Sequence, residues 1–300
     1  MTTQRKIQLA VLAFIPVLLA VGVYFFFTLE APQEEVAVEI VEEVIVDEAP
    51  VVTTEVIGTS VQGRAIKVVT FGSGDTHLLF VGGMHGGYEW NSSLLAYGMI
   101  EYFEDNPTFI PEDVTVSIIP TLNPDGLYLV TGIEGHFTIA DIPDPSTRVG
   151  EGRFNANGVD LNRNFDCKWA PESTWKGNVV SAGTGAFSEP EASALRDYVA
   201  KVRPKAVAFW HSKANNVYAS ECEEGVLPLT LELMSTYAQA GQYGEVPVFD
   251  AYPVTGDAEG WLASIGIPAV TVEMETSNSI EWTRNLAGVE AVLKLYSLAK

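Results

Sequence analysis

The chain carries four histidines, His77, His85, His136 and His211, and two of them fall where a metal site can be built. His85 follows the apolar run Leu78-Leu79-Phe80-Val81 within Gly82-Gly83-Met84-His85-Gly86-Gly87-Tyr88-Glu89. A strand is expected to end there and a helix to begin. His211 closes a second strand-like run, Ala206-Val207-Ala208-Phe209-Trp210. In open α/β sheets ligands gather at the carboxyl ends of strands. Two imidazoles and one carboxylate leave zinc a fourth position for water, the arrangement of a catalytic centre. Taken alone, a strand-end histidine is more often a hydrogen-bonded structural residue than a ligand. His77 starts a strand and reads as exposed; His136 lies in an irregular loop.

The strongest signal is Asn155-Ala156-Asn157-Gly158-Val159-Asp160-Leu161-Asn162-Arg163-Asn164-Phe165. This segment resembles the zinc metallocarboxypeptidases, whose members carry G-V-D-x-N-R-N. Asn123-Pro124-Asp125-Gly126, which reads as a turn, and Phe187-Ser188-Glu189-Pro190-Glu191 resemble two further family segments. Tyr252 to Trp261 is similar to the family's mobile tyrosine loop, and Gly266 to Glu273 to the strand bearing its catalytic glutamate. The resemblance spans Val56 to Tyr296.

It implies one zinc ion held by His85, Glu89 and His211. It implies that Glu273 acts as general base and then acid, and that Arg153 steadies the oxyanion, with Arg148 as its rival. Asn162 and Arg163 would grip the free carboxylate of a peptide, since a guanidinium fork matches a carboxylate in two parallel hydrogen bonds. Tyr252 would close over the substrate. Glu259 occupies the place of the family's pocket floor, where an acid favours a terminal Lys, Arg or diaminopimelate; a solvated loop acid is the alternative. Two departures stand out. The family spacing is H-x-x-E, whereas here it is His85-x-x-x-Glu89. Glu275 also follows Glu273 by two residues, which on a strand puts both on one face.

These groups need a scaffold. From Val56 onward strand-like and helix-like stretches alternate, which predicts an α/β fold, in three α/β/α layers around a mixed, mostly parallel sheet. Strands are expected over 64–71, 77–84, 114–120, 206–210 and 269–274. Helices are expected over 92–103, 189–202 (with Ser188 as cap), 229–240 and 283–299. The stretch 132–158, rich in Gly, Pro and Asp, reads as a long loop.

The N-terminal part reads differently. Leu9 to Phe27 is an uncharged apolar run, about long enough for a bilayer core of roughly 30 Å. Arg5 and Lys6 precede it and acids follow, which orients the rest of the chain outside the cytoplasm. The expected organisation is a membrane anchor over 1–29, an acidic linker over 30–55 and a catalytic domain over 56–300. A signal peptide cleaved to release a secreted domain is the alternative. The linker holds nine acids and no Lys or Arg, and like charges extend such a segment. The formal net charge of -22 argues against nucleic acid as a partner. The two cysteines, Cys167 and Cys222, would brace both walls of the site if bridged; two free buried thiols are the alternative.

The expected function is thus a zinc exopeptidase acting on C-terminal amide bonds of peptides. Its rivals are a zinc deacylase of small N-acyl amino acids and a surface binding module that has lost catalysis.

Overall fold

The computed structural model describes residues 51–142 and 150–297. The expected anchor, most of the linker, and Arg148 lie outside the described residues. Among those described, no helix is long and apolar enough to cross a membrane.

In chain order the strands are β1 (Val52–Thr59), β2 (Ala65–Phe71), β3 (Thr76–Val81), β4 (Val114–Ile119), β5 (Glu172–Trp175), β6 (Asn178–Ser181), β7 (Ala206–Ser212), β8 (Asn216–Ala219), β9 (Glu221–Cys222), β10 (Gly225–Val226), β11 (Gly244–Val246) and β12 (Ala269–Met274). The helices are α1 (Trp90–Asp105), α2 (Pro124–Thr131), α3 (Pro190–Val202), α4 (Pro228–Gly241), α5 (Ala258–Ser264) and α6 (Trp282–Tyr296). Eight strands form one sheet in the order β1-β2-β4-β3-β7-β12-β8-β11. Its centre, β4-β3-β7-β12, is parallel. β1 and β2 on one side run antiparallel, as does β8 against β12.

Strands buried on both faces read as continuous apolar runs, and β3 and β7 largely do; β4 is as fully buried but carries Thr115 and Ser117, which bond to Gly74 O and Tyr198 Oη. Their alternate residues face different helices. Leu78, Phe80, Ala208, Trp210 and Val272 pack with α1, α4 and α6 through Leu95, Met99, Leu233, Tyr237 and Val289. Leu79, Val81, Val207 and Phe209 pack with α3 and α5 through Leu195, Val199, Trp261 and Leu262. These are the three layers, with the two cores on opposite sheet faces.

Three local expectations are corrected. β1 starts at Val52, inside the segment expected as linker; its Glu55 is fixed by Lys201 Nζ at 2.7 Å. The turn expected at Asn123 opens α2 instead, with Asn123 Oδ1 accepting from Gly126 N at 2.8 Å. Ser188 does not cap α3. Glu189 holds that position without a side-chain cap, because the Ser188 hydroxyl is engaged by Asn164 and Glu189.

Cys167 and Cys222 are bridged, with Cα atoms 6.0 Å apart and a sequence separation of 55. The bridge joins the segment after the Asn-Arg motif to β9. Closing a loop of that length removes unfolded-state freedom worth about 4 kcal/mol. The double variant Cys167→Ser/Cys222→Ser is therefore expected to lose roughly that much stability. Urea unfolding checks it: a loss below about 1 kcal/mol would show that the bridge constrains nothing the packing does not already fix.

Candidate active site

The site lies at the carboxyl ends of β3, β7 and β12. His85 leaves β3 through the glycine loop, and Glu89 ends a single 3-10 turn, Gly86–Glu89, that leads into α1. The extra residue between His85 and Glu89 is taken up in this turn. Gly86 has φ +44°, and a Cβ there would stand 2.7 Å from Gly152 O and 2.8 Å from the Gly126 carbonyl carbon. Only glycine permits that approach. His211 is the penultimate residue of β7, and the register sets it beside Glu273 of β12.

The three donors converge. Glu89 Oε1 lies 3.0 Å from His85 Nδ1, and Glu89 Oε2 lies 2.9 Å from His211 Nδ1. One ligand atom from each residue lies within 4.8 Å of the others, and all three side chains are buried. Ligands about 2.1 Å from a tetrahedral ion stand about 3.4 Å apart, so a small closure around the ion suffices. Two nitrogens and an oxygen are also zinc's usual donor set. Carboxylates face both far nitrogens without hydrogen-bonding them: His85 Nε2 is 3.4 Å from Asp160 Oδ1, and His211 Nε2 is 3.6 Å from Glu259 Oε1. Carboxylates behind ligating histidines fix ring orientation and raise ligand basicity.

The electrostatics follow the geometry. Burial opposes charge on Glu89, yet the two imidazoles hold its carboxyl well below the usual range. Burial likewise opposes ionisation of Asp160. The Arg153 guanidinium, helped by His85, overrides it and keeps Asp160 anionic far into acid. Glu273 behaves in the opposite way. Burial, then the nearby Glu89 carboxylate, push it up to about 8 with no cation present. Its Oε2 is buried without a protein partner.

Arg153 is held from two sides. Its Nε and Nη2 donate to Asp160 Oδ2 at 3.2 and 2.8 Å, and its guanidinium lies 4.4 Å from the Trp175 ring centre. Nη1 stands 3.7 Å from Glu89 Oε1, next to the metal donors. Asn162 and Arg163 are both buried. Asn162 Oδ1 accepts from Ala258 N at 2.9 Å, and Arg163 Nη2 reaches Thr174 O at 3.4 Å. Arg163 Nε is buried with no partner. Glu259, one residue after Ala258, is buried and accepts from Thr271 Oγ1 at 2.9 Å.

Other candidates stand apart. Tyr252 is 46% exposed, its ring edge-on to Phe249 at 4.8 Å. Glu275 lies past the end of β12 and pairs with Arg284 on the surface. His77 is not exposed as expected; it is half-buried against Ser117 Oγ at 2.8 Å. His136 is exposed near Glu101. Three contributors were not singled out from sequence: Asp160, Thr271 and the β5–β6 hairpin. Asp160 had a signal, being the acid of G-V-D seven residues after Arg153. The hairpin had none.

The fold and this site define an α/β protein with a buried His-Glu-His cluster suited to a metal ion. The zinc carboxypeptidase family model (peptidase M14) matches residues 39–282, and the chain belongs to that family. Among its relatives are carboxypeptidase B of Astacus astacus, 29% identical over 155 residues (49% of each protein). Murein peptide amidase A of Escherichia coli K12 is 30% identical over 165 residues, 51% of this chain and 63% of that one. The structure of murein-tripeptide amidase from E. coli O157 aligns with a TM-score of 0.57 at 23% identity, over 82% of this chain and 93% of that one. The chain spans about half the length of the first curated relatives it matches.

Proposed function

We propose that the protein is a zinc exopeptidase that removes a C-terminal residue bearing an amine or other cation from peptides outside the cytoplasmic membrane, tethered by residues 1–29. The observation that carries this reading is the placement of a buried acid, Glu259, beside both the Asn162–Arg163 clamp and the metal donors. The Arg163 guanidinium, which donates to Asn162 O and, at 3.4 Å, to Thr174 O, would turn to a terminal carboxylate when substrate is bound. The acid behind it offers a counter-charge to a cationic side chain. Murein peptide amidase A, by its name, acts on wall peptides, and diaminopimelate in such peptides carries the amine this pocket calls for. The uncharged run of residues 9–27 after Arg5 and Lys6 supports the extracytoplasmic placement.

Zinc held by His85, Glu89 and His211 would supply a Lewis acid, able to lower the pKa of a water bound to it toward about 7. Glu273 takes a proton from the attacking water and passes it to the leaving amine. Arg153, fixed by Asp160 and Trp175, donates to the oxygen where negative charge develops. Arg163 and Asn162 orient the terminal carboxylate, and Glu259 selects the side chain beyond it.

The test is Glu259→Leu, assayed on peptides ending in Lys and in Leu. The ratio of kcat/KM for Lys over Leu is expected to fall at least about tenfold, the loss of one buried charge pairing. Because Glu259 also stands behind His211, zinc content is measured alongside. An unchanged ratio with zinc retained ends the pocket-floor assignment.

A further inference from the structure

We propose that Lys176 reads a carboxylate on the acyl side of the scissile bond, so that the enzyme prefers an acidic residue immediately before the one it releases. This inference rests on the exopeptidase reading above and extends it to the other half of the substrate.

The argument starts from the course of the β5–β6 hairpin across the site. Successive residues of one strand touch successive parts of the machinery. Ser173 Oγ meets Thr255 Oγ1 at 3.1 Å, at the loop bearing Tyr252. Thr174 O receives Arg163 Nη2 of the carboxylate clamp. Trp175 stacks on the Arg153 guanidinium. Lys176 then donates from Nζ to Tyr88 Oη at 2.8 Å, and Tyr88 is the residue next to Glu89. The hairpin therefore runs from the Asn162–Arg163 pair, past Arg153, to the rim beside Tyr88; with the leaving residue at the clamp, as in the reading above, the acyl portion would lie toward that rim.

Lys176 is fixed there by more than chance. Its Nζ lies 5.0 Å from the Trp175 ring centre and 5.5 Å from that of Tyr88, and the two rings meet edge to face at 5.3 Å. Cation–aromatic attraction of this kind holds a lysine head in place while leaving its other N–H bonds to solvent or ligand. The backbone points the same way. Lys176 and Gly177 form the two-residue turn of the hairpin, with Trp175 paired to Asn178 and φ of +49° and +77°. The first position of such a turn favours Asn, Asp or Gly. A lysine accepts this left-handed conformation at a cost, and its side chain is the one of the pair that reaches the site.

Charge balance gives the lysine a purpose. The chain has 39 acids against 17 bases, a field that repels anionic substrates. A cation at the acyl end of the site offsets that repulsion locally.

The experiment uses the full chain with zinc and two peptides that share a C-terminal Lys and differ only in the preceding residue, Glu or Gln. Wild type is expected to favour Glu in kcat/KM by about fivefold, the scale of one exposed ion pair, and the preference should shrink as salt rises. Lys176→Met should abolish the preference, Lys176→Glu should invert it, and Lys176→Arg should keep it. A wild type indifferent to Glu or Gln overturns the proposal, as does Lys176→Met retaining the preference. Hydrolysis of neither peptide overturns the exopeptidase reading itself, and this inference with it.

Discussion

Replacing Glu273 with Gln is expected to lower kcat/KM by roughly a hundredfold to ten-thousandfold, the range of a positioned acid–base group. The substitution keeps the size of the side chain on β12. It replaces none of the three metal donors, so zinc content should remain that of wild type. It also leaves Arg163 and Asn162 in place, so the loss should fall on kcat more than on KM. The pH profile supplies a second reading. Glu273 must be ionised to accept a proton, so wild-type activity rises with pH through its pKa. With no cation present, burial and Glu89 push that pKa up to about 8; a dication held by Glu89 favours the ionised form and draws it lower. The acidic limb is therefore expected below 8 in the zinc enzyme and absent in the variant. Glu275 cannot take over, because it lies beyond the strand end against Arg284. Retention of more than about a tenth of wild-type activity would remove Glu273 from the chemistry.

The sequence carried the skeleton of this site because its ligands end buried parallel strands. Such strands are apolar on both faces, so the runs before His85 and His211 stood out, and a polar residue at their ends was conspicuous. Asn162 and Arg163 were legible for another reason: they lie in one short motif, whose 3-10 turn buries them together with Asp160. What failed were features decided by distant contacts. The start of β1, Val52 to Glu55, reads as linker because the acidic stretch before it masks a β-branched run, and it is fixed through β2 and Lys201. Ser188 has the chemistry of a cap, but Asn164, 24 residues earlier, claims its hydroxyl. The hairpin at Glu172–Ser181 has short, mostly exposed strands with no clear alternation, yet it walls the site from clamp to Lys176. The one-residue insertion before Glu89 was ambiguous for a similar reason. Nothing local shows that Gly86 lies against the backbones of Gly126 and Gly152, and that contact is what lets the turn present the carboxylate.

Zinc affinity should accordingly collapse when Glu89 becomes Gln. The carboxylate is the one anionic donor of the set and touches both imidazoles, at 3.0 and 2.9 Å. A neutral amide keeps the shape and loses the charge that attracts the dication. Removing even a supporting carboxylate typically weakens metal binding tenfold to a hundredfold; Asp160→Asn, which unbacks His85, is expected in that range, and Glu89→Gln beyond it. Elemental analysis of dialysed protein should give about one zinc per wild-type chain and little in Glu89→Gln. Stability gives a readout independent of turnover. A ligand at a hundred times its Kd stabilises the folded state by about 2.7 kcal/mol, so zinc should raise the Tm of metal-stripped wild type by roughly 5 to 10 °C. The same zinc should leave Glu89→Gln almost unmoved. If Glu89→Gln instead bound zinc as tightly as wild type, the carboxylate at His85-x-x-x-Glu89 would not be a ligand, and two imidazoles alone would have to account for the site. If wild type bound zinc and shifted in Tm but cut no peptide, the metal would be structural, as in a binding module on this fold. Because Glu273 is not itself one of the three donors, these outcomes are distinct: one variant silences the chemistry with the ion in place, and the other removes the ion.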